Sequence, residues 1–320
     1  MRVEMTLVVS DRRDESDGVV SLTLRAEADG QELPTWEPGA HLEVVLPSGL
    51  IRHYSLCGPV EDRDRYRIAV LREPASRGGS VEVHDRVTPG TRLHVTGPRN
   101  HFGLEAADHY LFIAGGIGIT PILPMIARAE AAGVPWKLVY GGRQASSMAF
   151  VDEITARTGG KVELLAEDEV GRPDLPAVLG EVPVGGRVYC CGPEGLLGAV
   201  EAECAKRGLS GFLHVERFAA GALAAADGGP GSAGFEVRLA RSGTTVTVPP
   251  DRSILEVVRE VLPGVPSSCE EGICGTCETP VLEGVPDHRD HIMSAAERAS
   301  NATMMICVGR ALSDRLVLDL

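Results

Sequence analysis

Aromatic side chains make up only 4% of this 320-residue chain, so each Phe, Tyr or Trp beside a motif carries weight as a stacking or packing group. Long apolar runs are missing too. The longest, from Tyr110 to Met125, is broken by Gly115, Gly116, Gly118 and Pro121, short of the roughly 20 continuous apolar residues a membrane-spanning helix needs. The opening MRVEMTLVVSDRRDES has no apolar core and no A-x-A cleavage pattern, so the expected compartment is the cytoplasm. Basic residues are outnumbered, 31 against 45 acids, and the net charge of −14 disfavours nucleic acid or an anionic membrane as partner. In a reducing compartment the eight cysteines are poor candidates for structural disulfides and better ones for metal or redox chemistry.

What is present is organised in segments. The length exceeds one ordinary core and points to two or three domains. Residues 1–105 carry short alternating runs (VEMTLVVS, VVSLTLRA, HLEVVLP, YRIAVL, TRLHVTG) separated by turns such as Pro38-Gly39 and Pro89-Gly90, the pattern of an antiparallel β-barrel. Residues 106–218 change to strand, glycine turn and helix, with HYLFIAGGIGIT leading into PILPMIARAEAAG, which predicts an α/β domain with a parallel sheet. Residues 219–234 are almost all Ala, Gly, Ser and Pro and read as a linker. Residues 235–320 begin afresh with a hairpin, FEVRLARSGTTVTVPP, and a helix, SILEVVREVLP, for which Ser253 and Glu256 supply a capping box.

The most specific signal lies in that last segment. Cys269, Cys274 and Cys277, followed at a distance by Cys307, give C-x₄-C-x₂-C…C, the plant-type spacing for a [2Fe–2S] cluster. A loop that wraps two irons must turn tightly and aim N–H groups at sulfur, which Gly272 and Gly275 permit. Structural zinc would prefer two C-x₂-C pairs or a Cys/His mixture, and only one such pair exists here. Cys57 and Cys204 have no comparable context and read as small buried side chains.

CEEGICGTC, then LEGVPDHRDHIMSAAER and MMICVGRA, resemble the C-terminal ferredoxin domain of the phthalate dioxygenase reductase and vanillate O-demethylase reductase family. The resemblance covers nearly the whole chain. It implies a flavin barrel, an NAD domain and a β-grasp-like α+β ferredoxin domain, in that order. Arg52-His53-Tyr54-Ser55 is similar to the family's flavin signature, in which the Tyr packs on the ring, the Ser lies near its reactive nitrogen and the Arg neutralises phosphate. Ala69-Val70-Leu71 and Arg77-Gly78-Gly79-Ser80 match the next flavin-binding segments, the latter as a phosphate cradle at a helix start. FMN is expected rather than FAD, with Phe218 as aromatic cover in place of a terminal Tyr.

Ala114-Gly115-Gly116-Ile117-Gly118-Ile119-Thr120-Pro121 follows a strand and opens a helix, where glycines let a dinucleotide approach and the helix N-terminus favours its pyrophosphate. It is not GxGxxG; it resembles the G-G-x-G-x-T-P of ferredoxin reductase-like NAD domains, which places Thr120 between nicotinamide and flavin. Arg143 and Cys191-Gly192-Pro193 fall at later strand ends, and the resemblance brings Cys191 to the nicotinamide carbon that gives up hydride. Ser55, Thr120 and Cys191 are then the hydride-transfer site, and Cys190 points the other way. Acids in LLAEDEVG, rather than a basic cluster, favour NADH over NADPH.

The resemblance implies that hydride passes from NADH to flavin and single electrons pass through the cluster to an acceptor protein. That acceptor is a terminal oxygenase, a Rieske non-haem iron enzyme in most of the family, with a cytochrome P450 as the alternative. A redox-sensing protein without sustained turnover is the reading from a different class. The chain is expected to be a monomer, with no acid–base pair at work.

Overall fold

The computed structural model of the chain describes residues 3–28, 30–73, 78–218 and 234–320. The N-terminal sheet has six strands: β1 (Glu4–Ser16), β2 (Val19–Ala26), β3 (Ala40–Val45), β4 (Ile51–Ser55), β5 (Arg65–Leu71) and β6 (Arg92–Asn100). They pair antiparallel in the order β4-β3-β6-β1-β2-β5. A bridge from Leu56, just past β4, to Ile68 of β5 joins the two edges and closes the sheet into a barrel, removing its open edges. The alternation seen in the sequence sets the two faces. On β5, Tyr66, Ile68 and Val70 fill the barrel core, while Ala69 and Leu71 belong to the core of the next sheet.

That sheet is parallel: β7 (His109–Gly115), β8 (Trp136–Gly142), β9 (Lys161–Ala166), β10 (Gly186–Cys191) and β11 (Leu213–Glu216). Its order is β11-β10-β7-β8-β9, so the winding reverses between β7 and β10. Both faces are covered, which is why β7 reads as a continuous apolar run. Tyr110, Phe112 and Ala114 face the helix Ile119–Ala131. Leu111 and Ile113 face the helices Leu175–Gly180 and Glu194–Lys206. Cys190 and Cys191 likewise divide between the two cores.

Contacts group barrel and parallel sheet into one unit, Met1–Glu216, and the remainder into a second, Arg217–Leu320. The second unit holds β12 (Phe235–Leu239), β13 (Thr245–Val248), β14 (Glu278–Glu283), β15 (Pro286–Asp287), β16 (Thr303–Met305), β17 (Arg310–Ala311) and β18 (Arg315–Leu318). Five strands run in the order β13-β12-β18-β14-β16, with β12 and β18 parallel. The expected hairpin is there, Phe235 opposite Val248. So is the capping box: the Ser253 hydroxyl accepts from Glu256 N–H at 3.1 Å and the Glu256 carboxylate from Ser253 N–H at 2.7 Å. Such a cap contributes about 1 kcal/mol and starts the helix Ile254–Val261, whose Ile254, Leu255, Val257 and Val258 pack into the core of this unit. Apart from Gly234, the expected linker lies outside the described residues, and so does Arg77.

Candidate functional site

The reversal between β7 and β10 is where an open α/β sheet leaves a crevice for ligands, and glycine makes the crevice possible. A Cβ on Gly118 would sit 2.2 Å from the Cys191 carbonyl oxygen and 2.7 Å from Gly192 N. A Cβ on Gly115 would meet Pro193 Cδ at 2.7 Å. The two glycine turns that the sequence singles out are thus packed backbone on backbone at the ends of adjacent strands. The helix that follows has no side-chain cap; its first N–H, that of Ile119, returns to the Gly116 and Ile117 carbonyls, and Pro121 has none to offer. Thr120 is buried and its hydroxyl donates to the Ile117 carbonyl at 2.9 Å, closing the Gly116–Gly118 turn.

Three side chains meet where the barrel abuts this crevice. Ser55 ends β4 and is buried. Cys191 ends β10, fully buried, and its Cα partner across the sheet is Glu216, the last residue of β11. The Ser55 hydroxyl donates to the Glu216 carboxylate. Glu216 Oε2 is buried with no hydrogen-bond partner. Burial pushes the Glu216 carboxyl up to about 8, against which the Ser55 hydrogen bond works. Burial, then the neighbouring Glu216 and Cys190, push the Cys191 thiol well up, so it packs as a neutral group. Glu216 is a member of this cluster that the sequence reading missed. Its signal was an acid at the carboxyl end of a strand in a parallel sheet, but only the register opposite Cys191 gives it meaning.

A measurable consequence follows for stability. The native Glu216 carboxyl keeps its proton to about pH 8, whereas an unfolded one releases it near 4.5. Stability from this group is full below the lower value and is lost as pH rises toward the upper one. At about 1.4 kcal/mol per unit, the loss between pH 5 and 8 is on the order of 3 kcal/mol. In the flavin-free chain, Glu216→Gln should flatten the dependence of the urea midpoint on pH across that range. An equally steep dependence in the variant would place the titration elsewhere.

The residues expected to hold the flavin phosphate gather at the other end of β4. Gly78 begins the helix Gly79–Arg86 in a left-handed conformation, φ 84°, with no side-chain cap. The Arg52 guanidinium lies over this start: a Cβ on Gly79 would be 2.4 Å from Arg52 Nε. Arg52 also donates to the Ile51 carbonyl at 2.7 Å, which fixes its direction. A cation held over a helix start that has no side-chain cap, in space that a side chain would fill, fits a phosphate monoester such as that of FMN. The Ser80 hydroxyl is engaged with the Glu73 backbone, at 3.0 Å from its N–H and 3.3 Å from its carbonyl. Tyr54 is half-buried with its Oη unpartnered, and burial raises its pKa, so the ring remains a neutral phenol. Val70 points into the barrel core and Ala69 and Leu71 toward the parallel sheet; the segment pairs with β2, and the Val70 carbonyl meets His84 Nε2 at 3.0 Å. His53 lies 3.9 Å from Glu43, and Phe218 is 39% exposed. Arg52→Ala should weaken FMN binding by about 1.5–3 kcal/mol, the worth of a hydrogen bond to a charged group, with the fold retained. Unchanged flavin after dialysis would show Arg52 to be a strand-end charge only.

Arg143, at the end of β8, is exposed, and its carbonyl accepts from Asp168 N–H at 3.3 Å. The acids Glu167, Asp168 and Glu169 therefore stand beside Arg143 at the carboxyl edge of the sheet.

In the second unit Cys269, Cys274, Cys277 and Cys307 are all buried and none is in a disulfide. Their sulfurs are paired two and two: Cys269 with Cys274, and Cys277 with Cys307. Among the described residues no three such groups converge as a single ion would require. Two thiolates for each of two irons is the need of a [2Fe–2S] centre. Backbone N–H groups already point at sulfur, Glu271 N to Cys269 Sγ at 3.3 Å. Gly272 and Gly275 have φ of 69° and 72°, and a Cβ on Gly272 would meet Val308 Cγ2 at 2.6 Å. Asp290 braces this loop from outside. Its Oδ2 accepts from Ile292 and Met293 N–H at 3.1 and 2.8 Å, and the next residue, His291, donates its N–H to Gly272 O at 2.9 Å.

A closed antiparallel barrel sharing a unit with a parallel sheet whose crevice suits a dinucleotide, followed by a loop that pairs four thiols, defines the iron–sulfur flavoprotein reductases. Residues 237–312 match the 2Fe-2S iron-sulfur cluster binding domain, and residues 99–211 the N-terminal domain of dimethylamine monooxygenase subunit DmmA-like proteins. The chain is 46% identical to the phenoxybenzoate dioxygenase subunit beta of Ectopseudomonas oleovorans, over 95% of this chain and 94% of that one. The crystal structure of phthalate dioxygenase reductase superposes with a TM-score of 0.72 and 38% identity, covering 99% of this chain and 98% of the other. A type IV self-sufficient cytochrome P450 monooxygenase matches with a TM-score of 0.88 and 41% identity, over 99% of this chain but only 41% of that longer polypeptide. The chain belongs to the phthalate dioxygenase reductase family. That family works with FMN, a [2Fe–2S] cluster and NADH.

Proposed function

We propose that this chain is the NADH-dependent reductase component of an oxygenase system, acting in the cytoplasm as a monomer, with a Rieske non-haem iron oxygenase as its terminal partner. Residues 1–105 form its FMN domain, 106–218 its NAD domain and 235–320 its ferredoxin domain, joined through the linker 219–234. The observation that carries the reading is the meeting of Ser55, Glu216 and Cys191 where the barrel abuts the coenzyme crevice, in a chain that also pairs its four loop cysteines.

FMN supplies the exchange between two-electron hydride and single electrons, and the cluster supplies one-electron exit. The residues do the positioning. Arg52 and the N–H groups at Gly78, Gly79 and Ser80 hold the phosphate, and Tyr54 offers a neutral aromatic face. Gly115, Gly116 and Gly118 admit the coenzyme backbone, Thr120 and Pro121 shape the helix start beneath it, and Cys191-Gly192-Pro193 form the opposite wall. Cys191 seats the nicotinamide by packing, since a buried neutral thiol is no nucleophile. Glu216, its carboxyl pushed up by burial, keeps a proton beside Ser55 at neutral pH. No helix among the described residues is long and apolar enough to cross a membrane.

The testing experiment uses purified chain with candidate oxygenases. Acid-released flavin should chromatograph as FMN. NADH should exceed NADPH at least tenfold in kcat/KM, about 1.4 kcal/mol in the transition state, because acids flank Arg143. Product should form only when a Rieske oxygenase is added. Turnover with a P450 but with no Rieske enzyme would favour the second reading, which rests on the match to a reductase module fused to a P450 monooxygenase. Absence of steady NADH–ferricyanide activity would leave the redox-sensor reading.

A further inference from the structure

We propose that Arg67 is a positioning residue that clamps the coenzyme loop 143–150 to the flavin-bearing strand of the barrel. The inference rests on the reading of hydride transfer at the barrel–sheet junction and adds a device specific to this chain.

Arg67 lies on β5 with its side chain on the same face as Ala69 and Leu71. Its Nε and Nη2 donate to the Cys57 carbonyl at 3.2 and 2.6 Å. In return Cys57 N–H donates to the Arg67 carbonyl at 2.9 Å. Cys57 is two residues past Ser55, so the guanidinium grips the end of the segment that carries Arg52, Tyr54 and Ser55.

The same guanidinium reaches across to the parallel-sheet side. Its Nη2 is 2.9 Å from Glu153 Oε2, and its Cζ stands 5.1 Å over the Phe150 ring. Phe150 ends the loop that leaves β8, and it is held at φ 61°, a left-handed conformation that a bulky side chain rarely adopts. A cation over the ring and an ion pair one turn further on are what keep it there. Within the loop Met148 packs on Gly142, where a Cβ would be 2.4 Å from Met148 Cγ. A second tie runs from the β1–β2 turn: Asp17 N–H donates to Ser146 O at 2.9 Å and the Ser16 hydroxyl to Ser147 O at 3.2 Å. The loop that begins at Arg143, beside the expected coenzyme ribose, is therefore pinned to the barrel at its middle and at its far end, and Arg67 is the charged pin.

The pair is only partly exposed, 24% for the Arg67 side chain and 34% for Glu153, so solvent does not cancel it as it does a surface pair. Hydride transfer is sensitive to misplacement on the order of 1 Å. Loosening this pin should therefore slow the reaction without emptying either cofactor site.

The test uses the full-length holoprotein and two variants, Arg67→Met and Glu153→Gln, with the swapped double variant Arg67→Glu/Glu153→Arg. Anaerobic flavin bleaching at saturating NADH should slow about tenfold in Arg67→Met and less in Glu153→Gln. The kinetic isotope effect with 4-deuterated NADH should rise, while flavin content and NADH Kd stay within about twofold, as expected when neither binding site is touched. The swap should recover part of the rate. In flavin-free protein the amides of Ser147 to Phe150 should exchange with deuterium at least tenfold faster in both single variants. Parent-like bleaching and parent-like exchange in Glu153→Gln would overturn the proposal even if Arg67→Met failed to fold. Flavin loss that accounts for the whole rate defect would overturn it as well, reducing Arg67 to a support of the barrel. A parent protein that NADH does not reduce would sink the functional reading instead, and the exchange data would still judge the clamp.

Discussion

Cys274→Ser should abolish the [2Fe–2S] cluster and bring electron delivery to the oxygenase close to zero, while NADH–ferricyanide activity is largely retained. The Cys274 sulfur is paired with that of Cys269 and lies 3.4 Å from Thr276 Oγ1. A serine hydroxyl stays protonated and hard where a soft thiolate is needed, so one iron loses half of its protein ligands. Ferricyanide turnover needs only the flavin and coenzyme residues, all within Met1 to Phe218, and their sheets belong to a unit separate from the cysteine loop. A parallel Cys204→Ser variant, in the helix Glu194–Lys206 and outside the loop, should keep its iron. The readouts are iron per chain, the visible spectrum and oxygenase-coupled product. Full iron content together with normal transfer in Cys274→Ser would contradict both the ligand set and the electron path.

Gly118→Ala should be severely destabilising, by at least ~3 kcal/mol, at the top of the range for overpacking because the obstacle is backbone. The φ of Gly118 is −61°, which any residue adopts without strain. The cost comes from space alone: the new methyl would lie 2.2 Å from the Cys191 carbonyl oxygen and 2.4 Å from its carbon. Relief requires β7 and β10 to separate at the crevice, so coenzyme use should fall with stability. Gly116→Ala is the informative contrast. Gly116 has φ 54° and open space around its missing Cβ, so only a left-handed alanine is at stake, about 1 kcal/mol. Thermal unfolding of the two variants side by side checks the argument. Similar melting points would show that close approach at Gly118 is not what the turn requires.

Much of the architecture was legible before any coordinates. Period-two alternation in VVSLTLRA and continuous apolarity in HYLFIAG separate a barrel strand from a parallel-sheet strand, because Val20, Leu22, Leu24 and Ala26 fill the barrel from one face while apolar side chains leave β7 on both. The capping box at Ser253 is equally local. Functional residues divide along the same line. Gly272, Gly275 and the three loop cysteines were readable because a single nine-residue stretch supplies them. Glu216 was not, because an acid in HVERF looks like any strand-end charge until its partners are known. Arg67 was invisible for the same reason, one Arg among many on an alternating strand.

By itself, then, the sequence determined the order of the folds, the spacing of the four cysteines proposed to hold the cluster and the glycine turns proposed to receive phosphates. Each of these depends on residues close in the chain, where spacing and backbone freedom decide the geometry. Tertiary structure alone decided that Ser55 would donate to Glu216 beside Cys191, that Gly118 would lie against the Cys191 carbonyl, and that Arg67 would join Cys57 to Glu153. Those contacts arise from the register of strands distant in sequence and from the packing of a closed barrel against an open sheet, and no local pattern of residues encodes either.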